Sequence, residues 1–264
     1  MYKRQVFNEL GTVDAFTCPY HGWRWEIDGT LTFALDPEDF PEGDPCGKLT
    51  LNEIACDTFA GFIWVNMDPD CVPLKEFLGP IWDDWAAYEI HTWKRYLALT
   101  ATVPCNWKVI LDNFNESYHL PTVHPQVDGV VEENYQWTQF DMSEEGHNRM
   151  WMQSGTPSHS LAKRGDDELL KPGLAFMLEQ WGLNPDDFRG GREFETREAL
   201  QKAMRKMGKE MGYTQFDNLR DHQLTDTYHY TLFPNFAVSV WADGFHFLRA
   251  RPHPTDPGQC LFDN

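Results

Sequence analysis

The segment Cys18-Pro19-Tyr20-His21-Gly22-Trp23 constrains this chain more than any other. It sets a thiol and an imidazole two residues apart around a rigid proline, on a stretch that reads as a turn. That pair is half of a four-ligand transition-metal site. The site is either a structural zinc of the Cys₂His₂ type or an iron–sulfur cluster in which histidines replace two of the cysteines. A lone Cys-x-x-His is more often a buried thiol beside a packing histidine. The motif gains its weight from a second constellation further along the chain.

That second constellation is the run Asn106-Trp-Lys-Val-Ile-Leu-Asp112-Asn113-Phe114-Asn115-Glu116-Ser-Tyr118-His119, continued by Leu120-Pro121-Thr-Val-His124-Pro125. At about 3.6 residues per turn, Trp107, Ile110, Leu111, Phe114 and Tyr118 fall on one apolar stripe, and Asp112, Glu116 and His119 on the opposite side. Glu116 and His119 are three apart and so can touch. His119 and His124 are five apart, which on a straight helix separates them by about 140°. They converge on one ion only if the helix breaks between them, and Pro121 is expected to break it. Two converging imidazoles suit iron, zinc, copper or nickel, and a carboxylate as third ligand completes the triad of non-haem Fe(II) oxygenases. The bland alternative is a solvated polar face with two incidental histidines.

Taken together, Cys18-Pro-Tyr-His21-Gly-Trp, Asn106-Trp-Lys, Asp112-Asn113-Phe114, Glu116, Tyr118-His119 and His124-Pro125 resemble the catalytic α-subunit of Rieske-type non-haem iron aromatic-ring-hydroxylating oxygenases. The resemblance implies that Cys18 and His21 bind a Rieske [2Fe–2S] cluster and that His119 and His124 bind a mononuclear Fe(II) where O₂ and substrate meet. It implies that Glu116 links a cluster histidine of one subunit to an iron histidine of the next. Asn113 is implied to sit beside the iron and shape the pocket. Two expected features are missing. No Cys-x-His occurs in the sequence to complete the cluster. The third iron ligand, a carboxylate, is expected a few residues beyond Asp263, the closest available acid. The chain is therefore expected to be an internal fragment of a longer α-subunit, truncated at both ends and inactive alone. The other cysteines, Cys46, Cys56, Cys71, Cys105 and Cys260, read as packing thiols.

Composition narrows the partners. Against 22 basic residues stand 41 acidic ones, a net charge of −19, which argues against nucleic acid and anionic membranes. No apolar run approaches the roughly 20 residues of a membrane span, and no signal-peptide core opens the chain. Six cysteines without a regular framework point to a reducing, cytoplasmic setting.

The expected fold class is α+β. A partial Rieske-type β domain over residues 1–78 is followed by a helix-grip (START/Bet v 1-like) antiparallel-sheet catalytic domain over residues 79–264. Trp23, Trp25 and Ile27 alternate before Asp28-Gly29, with Leu31 and Phe33 after it, which reads as a hairpin just downstream of the cluster pair. Prolines 37, 41 and 45 mark a surface loop, and residues 61–66 read as a buried strand. A helix is expected near 80–90, a strand over 96–103, extended chain over 134–155 and mostly helix over 160–215. Leu200, Ala203, Met204, Met207 and Met211 form a core or subunit-contact stripe. Strands are expected at 228–233, 236–242 and 245–251. A concave sheet of this kind suits an apolar substrate.

The expected reaction is electron transfer from the cluster to the iron, with O₂-dependent hydroxylation of an aromatic or other apolar substrate, by mono- or dioxygenation. The expected partners are a ferredoxin or flavin reductase as electron donor, since no Gly-x-Gly-x-x-Gly is present for a nicotinamide. Assembly as a homotrimer or as α3β3 is implied by the resemblance. Two other classes compete: a zinc-binding hydrolase, and a non-catalytic carrier of apolar ligands.

Overall fold

The computed structural model describes residues 11–264 except 128 and 145. The chain divides into two compact units, one running to Thr58 and including Ile63–Val72, the other comprising Phe59–Phe62 and Pro73–Asn264. The short helix over Leu74–Leu78 belongs with the larger unit.

The smaller unit holds a three-stranded antiparallel sheet of β1 (Ala15–Thr17), β2 (Arg24–Glu26) and β3 (Leu31–Phe33). The β2–β3 hairpin turns at Asp28-Gly29 as the dipeptide predicts. Gly29 takes φ +83°, a left-handed value that glycine adopts without strain, and Asp28 Oδ1 accepts from the Thr30 N–H at 2.9 Å. A second small sheet pairs β4 (Ala55–Phe59) with β5 (Phe62–Asn66). Its second strand is not buried as expected. Ile63 and Val65 are 75% and 68% exposed. A two-stranded ribbon has one face without a covering layer, and these β-branched side chains lie there.

The larger unit carries α1 (Leu74–Leu78), α2 (Pro80–Tyr88), β6 (Thr100–Val103), α3 (Trp107–Phe114), α4 (Leu120–Val123), β7 (Gln139–Met142) and β8 (Asn148–Met152). These are followed by α5 (His159–Lys163), α6 (Pro172–Gln180), α7 (Thr196–Met207), α8 (Asp221–Thr225), β9 (Thr227–Leu232), β10 (Phe236–Trp241), β11 (Gly244–Pro252) and β12 (Cys260–Asp263). Seven strands form one antiparallel sheet in the order β6-β12-β11-β10-β9-β8-β7. Alternation along β9 sorts its two faces. His229 and Thr231 point to α3, where Leu111 packs with Ala237 and Leu248, joined by Trp107, Phe114 and Phe262. Tyr230 points the other way and meets Trp85 of α2 edge-on, with ring centroids 5.6 Å apart. The sheet thus has a helix on each face, and α3 rides on β11 and β12.

Three expectations shift. The strand expected over 96–103 begins only at Thr100, since Tyr96 is fully exposed and has no apolar face to cover. The α7 stripe holds at Leu200, Ala203 and Met204, but the helix stops at Met207 and leaves Met211 half exposed. The helix expected through His119 ends at Phe114, and Tyr118 is 91% exposed rather than part of the core stripe. No helix among the described residues is long and apolar enough to cross a membrane.

Candidate metal centre

α3 starts at Asn106, whose side chain accepts from the Lys108 N–H at 3.1 Å. It closes at Asn115, whose own N–H reaches the carbonyls of Leu111 and Asp112, each at 3.1 Å. The chain then turns through Glu116, Ser117 and Tyr118 before α4. The break lies about two turns earlier than Pro121, at the end of α3. Pro121 instead sits in the first turn of α4, where a missing N–H costs nothing. His119 caps the N-terminus of α4 and His124 its C-terminus. A helix of four residues therefore separates the two histidines, and their ring centroids lie 5.2 Å apart. The two histidines come together by occupying the cap positions at opposite ends of one turn, not by sharing a face of a long helix.

Glu116 is locked onto His119. Its Oε1 accepts from Nδ1–H of the imidazole, and its Oε2 accepts from the His119 backbone N–H at 3.2 Å. The proton on Nδ1 leaves the Nε2 lone pair for a metal, and a carboxylate behind an imidazole is a common support for such a ligand. The Gln126 amide lies 3.3 Å from Nδ1 of His124. There the amide nitrogen donates to the ring, Gln126 Nε2–H to His124 Nδ1. Asn113, the penultimate residue of α3, is exposed. A concavity of about 260 Å³ opens beside the turn, lined by Glu116, Ser117, Tyr118, Glu133, Tyr135 and Phe140 among others.

The donor set fits a mononuclear transition metal as two of three protein ligands. Among the described residues no third His, Cys, Asp or Glu joins the pair. Asp263, the nearest acid in sequence terms, is committed elsewhere. Arg249 and Arg251 donate to it at 2.9 and 2.8 Å and Thr100 at 2.9 Å, which holds its carboxyl well below the usual range. It serves to tie β6, β11 and β12 together.

In the smaller unit Cys18 is buried and His21 exposed on the turn before β2. The Cys18 N–H donates to the Trp23 carbonyl at 2.8 Å, and Gly22 N–H returns to the Cys18 carbonyl at 2.9 Å. This tight loop, with the Tyr20 ring 4.0 Å from that of His21, presents a thiol and an imidazole from one turn. It fits half of a four-ligand cluster, and no other His or Cys among the described residues joins it.

Sequence reading missed the residues that hold the Glu116 turn. Ser117 Oγ donates to the Glu133 carbonyl at 3.1 Å, and Thr231 Oγ1 donates to Asn115 Oδ1 at 2.7 Å. Their partners lie far along the chain, so no local pattern announces them. The fully buried Glu132, which receives Ser158 Oγ at 3.1 Å and the His159 N–H at 2.8 Å, was likewise unmarked.

Residues 90–264 match the family described as ring hydroxylating alpha subunit (catalytic domain). The chain is 32% identical over 126 residues to the carnitine monooxygenase oxygenase subunit of Escherichia coli, a match covering 47% of this chain and 33% of that one. It is also 32% identical over 117 residues to the glycine betaine monooxygenase oxygenase subunit of Chromohalobacter salexigens, covering 44% and 26%. A quaternary ammonium Rieske monooxygenase in complex with L-carnitine shares the fold with a TM-score of 0.58 at 16% identity, over 98% of this chain and 53% of that one. Naphthalene 1,2-dioxygenase does so with a TM-score of 0.56 at 20% identity, over 98% and 54%. The chain thus spans about half the length of these solved structures, and its matches cover a third or less of the curated relatives. The named relatives are oxygenases, neither hydrolases nor ligand carriers.

Proposed function

Since this chain belongs to the family of ring-hydroxylating α-subunits, through their catalytic domain, we propose that it works as the oxygenase component of an enzyme that inserts oxygen from O₂ into a small organic substrate. The observation that carries this reading is the pair His119 and His124 at the two ends of α4, one of them backed by Glu116. His119 and His124 would hold a mononuclear Fe(II), with a third, carboxylate ligand. Cys18 and His21 would be half the ligands of a Rieske [2Fe–2S] cluster. When bound, these groups supply single electrons and the open coordination positions at which O₂ is reduced.

The chain's own residues do the rest. Glu116 keeps a proton on Nδ1 of His119, fixes the plane of the ring and strengthens Nε2 as a donor. Its other side is free to accept a hydrogen bond from a cluster histidine of a neighbouring subunit, so that electrons cross between subunits. That role requires head-to-tail contacts closing into a ring, as a homotrimer or with a second subunit type as α3β3. Asn113, exposed near the end of α3, is assigned to the border of the iron site by the family resemblance alone. A ferredoxin or flavin reductase would deliver electrons ultimately drawn from NAD(P)H, which accords with a cytoplasmic location.

The substrate reading moves away from an aromatic hydrocarbon. The relatives named above act on carnitine and glycine betaine, and another, 30% identical over 108 residues, is a phthalate 4,5-dioxygenase subunit. All three substrates are charged. We assign to this chain a small quaternary ammonium compound, oxidised by monooxygenation. The test is substrate-dependent O₂ consumption by the full-length, iron-loaded protein with a reductase. Trimethylammonium acids should stimulate uptake and give product, and naphthalene should not. Uptake stimulated by naphthalene alone overturns the substrate assignment.

A further inference from the structure

We propose that the turn carrying Glu116 and His119 is set from the sheet, with Thr231 and His229 as its positioning residues; the inference rests on the metal-site reading above. The residues on either side of Glu116 are both tied inward. Asn115 Oδ1 accepts from Thr231 Oγ1 at 2.7 Å, and Ser117 Oγ donates to the Glu133 carbonyl at 3.1 Å, with Thr138 Oγ1 3.5 Å away. Glu116, between two inward-facing neighbours, is left to face His119.

The tie at Asn115 is the end of a longer chain of hydrogen bonds. A threonine hydroxyl has one proton, and that of Thr231 is spent on Asn115. Towards His229, 3.3 Å away, Thr231 Oγ1 can therefore only accept, which places the imidazole proton on Nε2. Nδ1 of His229 is then a bare acceptor and takes the hydroxyl proton of Ser239 at 2.9 Å. Every member thus has its direction fixed, from Ser239 through His229 and Thr231 to Asn115. His229 is 1% exposed and stacks on Phe114, the last residue of α3, with ring planes 18° apart. Burial pushes its pKa down to about 4, so it is neutral at physiological pH, the form that this chain of bonds requires.

The consequence lies in where α3 stops. Residues of this composition could continue helically past Phe114, and a straight helix would set His119 and His124 about 140° apart. Holding Asn115 against β9 ends the helix there and lets α4 start on a new axis, with a histidine at each end. Among the described residues, the hydrogen bonds of Thr231 and His229 run to Asn115, Ser239 and each other, not to His119 or His124. They act through Asn115.

The test uses the full-length protein with Thr231→Val, which keeps the volume and removes the hydroxyl, and Thr231→Ser, which restores it. In iron-free protein, amide exchange at His119, whose N–H is held by Glu116, should quicken about tenfold in the valine variant. In the serine variant it should stay near the parent rate. Exchange in β10 and β11 should be unchanged in both. Fe(II) affinity, by titration, should fall about tenfold in the valine variant and recover in the serine one. Parent-like exchange at His119 in the valine variant overturns the proposal. Should that variant fail to fold, Ser239→Ala removes the first donor and must quicken the same amide, and no change there overturns the proposal equally. Absence of iron binding in the parent protein would count against the metal-site reading alone, since the exchange measurement needs no iron.

Discussion

Glu116 holds His119 twice, through the imidazole Nδ1–H and through the backbone N–H at 3.2 Å. One carboxylate thereby fixes both the tautomer of the ring and the conformation of the turn that presents it. Because Glu116 retains substantial exposure, with 40% of its side chain accessible, it can serve a second partner as well.

Glu116→Gln tests that double role. The glutamine carbonyl can still accept from Nδ1–H, so His119 should keep its orientation and the protein should keep its mononuclear iron. The charge is lost, and with it the bond to a partner imidazole. Single-turnover oxidation of the cluster in the full-length enzyme should slow by orders of magnitude, of the kind seen when a supporting carboxylate is lost. Loss of mononuclear iron would instead contradict a role confined to bridging the two centres.

His229 should impose a pH dependence on stability. Its folded pKa lies at about 4, below the ordinary 6.5, because the proton would have to enter a buried site. Between these values the unfolded chain takes up a proton that the folded chain refuses, so stability falls as pH drops from 6.5 towards 4. The loss from this group saturates below pH 4 at about 3 kcal/mol. Urea unfolding at pH 7 and pH 4.5 should show a smaller drop for His229→Gln than for the parent. Equal drops contradict the assignment.

A contrast between two ion pairs checks what holds the larger unit together. Asp226 is fully buried and receives Arg197 at 2.8 and 2.7 Å, Trp151 Nε1 at 2.7 Å and Thr225 Oγ1 at 3.0 Å. Arg197→Ala strands a buried charge and should cost about 3 kcal/mol. The exposed pair of Lys202 and Glu198 on α7 is 2.6 Å apart, yet Lys202→Ala should cost under about 0.5 kcal/mol. Chemical denaturation of the two variants gives the comparison directly.

Much of the larger unit was legible because its signals are local. Strands β9 and β10 are rich in aromatic and β-branched residues, a tight turn at Asp243-Gly244 leads from β10 to β11, and α7 shows its stripe at Leu200, Ala203 and Met204. The hairpin at Asp28-Gly29 follows from a dipeptide. The candidate metal turn was legible only in part. Glu116, His119 and His124 stand out as candidates by spacing together with the family resemblance, but the helix was carried too far and Tyr118 was assigned to the core. The reason is physical: the helix end is set by Thr231, more than a hundred residues away, and by the Glu133 carbonyl. Neither contact leaves a mark on the local hydrophobic period. The exposure of Ile63 and Val65 was illegible for a related reason, since an apolar strand sequence does not say whether a second layer covers it.

Cys18→Ser isolates the cluster assignment. In a protein that also supplies the remaining cluster ligands, the parent should give a Rieske-type electron resonance signal on reduction and the serine variant should not. A full signal in the variant places the cluster elsewhere.

The most direct measurement is iron content and turnover of the full-length protein carrying His124→Ala, beside the cluster's visible absorption. The absorption should persist while the mononuclear iron and substrate oxidation are both lost, with His119→Ala behaving alike. Full iron and parent-like turnover in either variant would contradict the assignment of these histidines to the iron.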